Sequence, residues 1–253
     1  MTTLLILLAL IGSVLLGAGI VIFLNGRSQD KTIKLLLSFG GGFLLSIAFI
    51  HFIPEIYSKH DYNIGFYILI GFLIQLFLEY FSGGIEHGHV HPTKNGTLPW
   101  GLFISLSLHS FIEGIPLAQD LTNGAEALID HVHTHGHAHH HDGDDNTLLL
   151  GIILHKIPVA VALMTMLLAS GFNKIKSWIV ILGFSIMAPF GFLFGQYGFS
   201  SLSLDIDLIL AVVVGMFLHI STTIIFESSE NHKFNFAKLV SLLIGVVLAL
   251  LVH

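Results

Sequence analysis

Apolar residues run along this chain in long unbroken stretches, with neither the alternation of a half-buried strand nor the one-sided stripe of a soluble helix. Eight runs come to about 20 residues, the length a helix needs to cross a bilayer core. They fall at roughly 4–24, 34–54, 63–81, 98–120, 148–170, 178–198, 208–227 and 236–252. Transmembrane strands would instead alternate over about ten residues. The pattern therefore predicts an all-α polytopic membrane protein, one transmembrane domain over 1–253 with eight transmembrane helices. The opening stretch MTTLLILLALIGSVLLGAGI lacks the basic segment of a cleaved secretory leader, which predicts a retained first span.

Composition agrees: 54% of the residues are hydrophobic and 10% charged, and the mean hydropathy of +0.85 lies outside the range of soluble domains. The absence of cysteine removes disulfides and thiolate metal sites. A formal charge of -6 with scattered Lys and Arg argues against nucleic acid and leaves the lipid bilayer as the surrounding partner. The basic residues also set a direction. Arg27, Lys31, Lys34, Lys94, Lys174, Lys176, Lys233 and Lys238 follow odd-numbered spans, Lys59 alone follows an even one, and Lys156 lies inside the fifth. The positive-inside rule then puts both termini and the 121–147 loop on the extracytoplasmic side. The expected location is a bacterial inner (plasma) membrane.

An ionisable side chain at membrane depth marks function by default, because leaving it unpaired in hydrocarbon costs several kcal/mol. In the fourth run, LSLHSFIEGIPLAQD sets His109 and Glu113 one turn apart on one face, with Ser110 beside them. In the fifth, GIILHKIPVAVAL carries His155 and Lys156. Glu113 and His155 each lie roughly 10 Å in from the ends that meet the 121–147 loop, at 1.5 Å per residue, and His109 lies one turn deeper. Two imidazoles and a carboxylate suit zinc or another borderline divalent metal. A structural Glu113–Lys156 ion pair is the competing reading, and it leaves both histidines without a role. His51 and His219 read as packed, hydrogen-bonded histidines. Pro116 and Pro158 follow the polar groups and free carbonyls a turn earlier, as at the substrate sites of transport proteins.

Seven histidines, His131, His133, His135, His137, His139, His140 and His141, followed by Asp142, fill the longest loop. Imidazoles at this density bind zinc, nickel or copper with little geometric demand, so the loop reads as metal capture, against the alternative of a tolerated low-complexity segment. A weaker cluster, Glu86, His87, His89 and His91, falls on the opposite side and reads as a cytoplasmic exit.

At these residues the sequence resembles the ZIP (Zrt-, Irt-like) family of divalent metal transporters. HSFIEG is similar to the family's fourth-span pattern, HKIP to the start of its fifth, and FLLSIAFIHFIPE, with His51, Pro54 and Glu55, to its second. The resemblance extends over essentially the whole chain. It implies a 3+2+3 arrangement in which spans 1–3 and 6–8 are inverted repeats around spans 4 and 5. GGFLLS in span 2 and GMFLHIS in span 7 are alike in the same sense. Many members hold two metals using an Asn after the first His and acids later in the fifth span; here Ser110, Lys156 and Val159 stand there. Ala188 precedes Pro189 where a carboxylate is common, and STTIIFESS departs from the usual seventh span. The second metal is therefore expected to be absent, with Lys156 as a tethered cation in its place.

The resulting expectation is a transporter and not an enzyme: Zn²⁺ uptake into the cytoplasm by alternating access through one site of His109, Glu113 and His155, modulated by Lys156 and Ser110. The metal is substrate and no cofactor is expected. Fe²⁺, Mn²⁺, Cd²⁺, Co²⁺ or Ni²⁺ fit the same donors, whereas the lack of Cys and of a Met-rich core argues against Cu(I). The alternatives are an intramembrane zinc-dependent hydrolase, which has no carboxylate to spare for acid-base work, and a nickel permease or efflux-type carrier. A homodimer stays open as the protein assembly.

Overall fold

The computed structural model describes residues 3–23, 30–59, 63–82, 98, 100–118, 147–202, 205–227 and 236–252. All regular structure among them is helical: α1 (Thr3–Phe23), α2 (Asp30–Ile47), α3 (Ile53–Lys59), α4 (Ile64–Ser82), α5 (Trp100–Gly114), α6 (Thr147–Ala169), α7 (Lys174–Ser185), α8 (Met187–Leu202), α9 (Ile206–Glu227) and α10 (Phe236–Val252). Among the described residues, seven stretches are long and apolar enough to cross a membrane: Thr3–Phe23, Lys31–Lys59, Ile64–Phe81, Trp100–Ala118, Thr147–Ala169, Lys174–Gly198 and Ile206–Ile224. The apolar helix α10 has 17 residues. Outward faces carry Leu8, Phe66, Phe77, Ile179 and Leu251, as apolar as the interior. That is the composition of helices whose solvent is lipid and whose backbone groups are satisfied internally.

Proline marks where these helices depart from regularity. Between α2 and α3 the chain widens into a π turn, Ala48–Phe52, in which the Ile53 N–H donates to the Ala48 carbonyl. Pro54 has no N–H for the carbonyl of Ile50, and the wider turn precedes it. After Gly114 the fourth span tightens into a 3₁₀ segment, Ile115–Ala118, around Pro116. Pro158 sits within α6 without ending it. The sixth span breaks at Ile186, between α7 and α8, just ahead of Pro189.

Packing is set by glycines where backbones touch. α2 lies along α10, with the Ser241 hydroxyl donating to the Leu35 carbonyl at 2.7 Å. A Cβ at Gly42 would overlap the Leu242 carbonyl, and one at Gly245 the Phe39 carbonyl. α4 lies along α9 in the same way, with Gly71 on the Val212 carbonyl and Gly215 on that of Ile68. Lipid gives helices no hydrophobic reason to associate, so close backbone approach at small residues supplies the contact. α1 packs on α6, α5 on α8, and α2 also touches α6 and α9.

The link from α6 to α7 is a helix stop joined directly to a helix start. The Phe172 N–H donates to the Leu167 carbonyl and the Gly171 N–H to that of Leu168, both at 3.1 Å. Gly171 has φ +87°, the left-handed conformation this C-terminal motif needs. Two residues on, the Asn173 side chain caps α7 by accepting from the Lys176 N–H at 2.8 Å.

Candidate metal site

Three helices bring the polar residues of the interior together. His109 and Glu113 are one turn apart on α5, and both are buried. His155 and Lys156 come from α6, 1% and 2% exposed. The Lys156 ammonium ion-pairs with Glu113 Oε1 and donates to the Ser110 hydroxyl at 2.7 Å. It also lies 5.5 Å from the centre of the Phe184 ring of α7. A buried carboxylate needs this company, because desolvating a lone charge costs more than any packing around it returns.

The second oxygen of Glu113 faces elsewhere. Glu113 Oε2 stands 3.3 Å from His109 Nε2, and among the described residues no donor is hydrogen-bonded to it. The His109 and His155 rings lie with centroids 6.0 Å apart, edge to face. The carboxylate is thus divided: one oxygen to Lys156, the other to the space it shares with His109. Among the described residues no three His, Asp or Glu side chains form a ready coordination sphere. His109, Glu113 and His155 are neighbours, with Lys156 seated against the carboxylate.

α4 contributes two side chains that the sequence reading did not single out. Gln75, fully buried, places Oε1 2.9 Å from His109 Nδ1. One turn on, Glu79 is hydrogen-bonded to His219 Nε2 of α9, and the His219 ring stands edge-on to Phe72 at 4.7 Å. Ser105 of α5 donates to the Leu78 carbonyl at 2.5 Å, a further tie between α4 and α5. The available signal was the spacing in IQLFLEY, which repeats the i, i+4 polar pair of α5 inside another apolar run. Gln75 carries no charge, and Glu79 lies near the end of its run, where an acid can reach the headgroups.

The remaining sequence candidates fall apart from this cluster. His51 lies in the π turn, 3.7 Å from Glu55 of α3, and Glu55 in turn binds Lys59 at 2.6 Å. Lys59 reaches Asp207 in the first turn of α9 at 3.8 Å, which ties α3 to that helix. Ala188 and Gly114 meet backbone to backbone, with no room for a Cβ on the glycine. Ala188, just before Pro189, is itself buried, 1% exposed. His131, His133, His135, His137, His139, His140, His141 and Asp142, and likewise Glu86, His87, His89 and His91, lie outside the described residues.

Among curated proteins none matches the chain. The family model described as ZIP zinc transporter matches residues 85–253, more than half of the sequence and all of α5 to α10. The chain therefore belongs to the ZIP family, a family of membrane-embedded divalent metal transporters and not of enzymes.

Proposed function

We propose that this protein takes up Zn²⁺ through a single intramembrane site of His109, Glu113 and His155, moving the ion inward by alternating access. One observation carries the reading: the 3.3 Å separation of His109 Nε2 and Glu113 Oε2, the oxygen that Lys156 does not hold. Two ligands each about 2.0–2.1 Å from a tetrahedral zinc stand about 3.3 Å apart. Two imidazoles on one such ion have centroids about 5.3 Å apart by the same geometry, so the 6.0 Å between His109 and His155 requires only a small inward shift.

Lys156 is the tethered cation of this site. By holding Glu113 Oε1 it supports an ionised carboxylate and leaves one oxygen for one ion, in keeping with Ser110 and Val159 at positions where relatives are expected to bind a second. The His-rich loop 131–141 gathers metal at the outer mouth, and Glu86, His87, His89 and His91 receive it on exit. The eight-span, inverted-repeat arrangement is supported by the way helices pair. Spans 2 and 8 (α2, α10) and spans 7 and 3 (α9, α4) form matching glycine-packed pairs, and spans 1 and 5 match spans 6 and 4.

The test is radioactive zinc uptake into proteoliposomes. Wild type is expected to load the vesicles, Glu113→Ala to fail, and the 131–141 deletion to retain uptake at high zinc. Wild-type vesicles that accumulate no zinc and no other divalent transition metal would remove the proposal.

A further inference from the structure

The geometry points to Gln75 as a positioning residue for the metal: its amide oxygen fixes the tautomer of His109 so that Nε2 presents a lone pair to the ion. This inference rests on the proposed His109, Glu113 and His155 site and deepens it by adding a residue from α4 that touches no metal itself.

A neutral imidazole carries its proton on one nitrogen and offers the other as acceptor or ligand, and the partner of the first decides which. Gln75 Oε1 lies 2.9 Å from His109 Nδ1, and an amide oxygen only accepts. Glu113 Oε2 also only accepts but stands farther off, 3.3 Å from Nε2 against 2.9 Å for Gln75 Oε1 from Nδ1, so the closer acceptor assigns the proton to Nδ1 and turns Nε2 toward the carboxylate. The opposite tautomer would put an N–H on Nε2, aimed at the carboxylate, and close with a hydrogen bond the space an ion needs.

The placement of Gln75 suits this task. It is fully buried, so no water competes for the amide. It stands on a helix locked against α9 by backbone contact at Gly71 and Gly215, and the Ser105 to Leu78 hydrogen bond fixes α4 against α5 three residues further on. Partners of this kind set ligand orientation in metal sites, and removing them costs about 10–100-fold in metal affinity.

The experiment measures zinc uptake in proteoliposomes for wild type, Gln75→Leu, Gln75→Glu, His109→Ala and Glu113→Ala, resolving KM from maximum rate. It is paired with the ¹⁵N NMR spectrum of the metal-free full-length protein labelled at histidine, with His109 assigned by difference from a His109→Gln sample. The expected result is a KM raised about 10–100-fold in Gln75→Leu, with the maximum rate within a few-fold of wild type. Gln75→Glu, whose carboxylate accepts the same proton, recovers most of the KM. In wild type His109 gives the Nδ1–H pattern.

Each of the following results overturns the inference. An Nε2–H pattern for His109 in wild type does so without any variant at position 75. So does a Gln75→Leu protein that loses maximum rate at unchanged KM, which is the mark of a purely structural residue. Failure of Gln75→Glu to recover the KM does the same. If His109→Ala and Glu113→Ala both transport with wild-type KM and rate, the site itself is wrong and the inference falls with it. If those two variants are inactive while Gln75→Leu keeps its KM, only the role of Gln75 is lost.

Discussion

Lys156 of α6 and Glu113 of α5, 43 positions apart in sequence, meet as a buried ion pair between the two helices. Removing one member of such a pair leaves the other charged, desolvated and uncompensated, at a cost of about 3–5 kcal/mol. Lys156→Ala is therefore expected to lower the melting temperature of the metal-free protein, and zinc should raise it by more than it raises wild type, because the ion then supplies the missing positive charge. Lys156→Met with Glu113→Gln should recover most of the stability and no zinc response. Thermal unfolding in detergent with and without zinc reads both. An equal zinc shift in wild type and Lys156→Ala would show that the ion does not bind beside Glu113.

The single-ion reading has its own measurement. Equilibrium binding to a protein lacking 131–141 should give one intramembrane ion in wild type, with Lys156→Ala changing affinity and leaving the count at one. A second intramembrane ion in the wild-type site would be incompatible with Lys156 standing in for it.

Glu79 and His219 join α4 to α9 in the same manner, but the Glu79 side chain is 18% exposed, and the expected cost of breaking the pair is smaller, about 2 kcal/mol for Glu79→Ala. A double-mutant cycle with His219→Ala should give a coupling energy of about 1 kcal/mol or more. Additive single and double variants would mean that the two side chains are merely adjacent.

Glycine positions separate sharply by what a Cβ would strike. At Gly215 it would overlap the Ile68 carbonyl oxygen, a backbone atom with nowhere to go, whereas at Gly19 nothing lies within 4 Å. Gly215→Ala should lose folded protein on membrane extraction, with a penalty of about 3 kcal/mol or more. Gly19→Ala should be neutral or slightly stabilising, by up to about 1 kcal/mol of helix propensity. Equal yields of the two variants in size-exclusion chromatography would show that α4 and α9 do not pack as described.

Deleting 131–141 should reduce uptake at low zinc and change little at high zinc, as expected of a segment that concentrates metal. Uniform loss across concentrations would assign it a structural part instead.

The helical, membrane-embedded character was legible because apolar runs near 20 residues admit few other readings, and the pairing of His109 with Glu113 was legible because a charged residue in such a run stands out. Counting depth along two consecutive helices set Glu113 level with His155 and left a Glu113–Lys156 ion pair as the competing reading, whereas the hydrogen bond from Lys156 to Ser110 had no cue in the sequence. Gln75 was not legible in that way, since an uncharged amide in an apolar helix carries no sign of what it faces across 34 positions of sequence. Nor were the helix pairings, which depend on which glycines meet a neighbouring carbonyl. The halting of span 6 at Ile186 had Pro189 as its only cue.

The link between α6 and α7 has no slack. Each residue from Ser170 to Asn173 takes part in ending one helix or starting the next, so the two spans meet in a short, hydrogen-bonded elbow. A rigid-body movement of α6 that carries His155 and Lys156 would be passed to α7 as well, and with it to Phe184 beside the Lys156 ammonium. The two helices act on each other as a lever, and lengthening the elbow by a few glycines would be the means of uncoupling them.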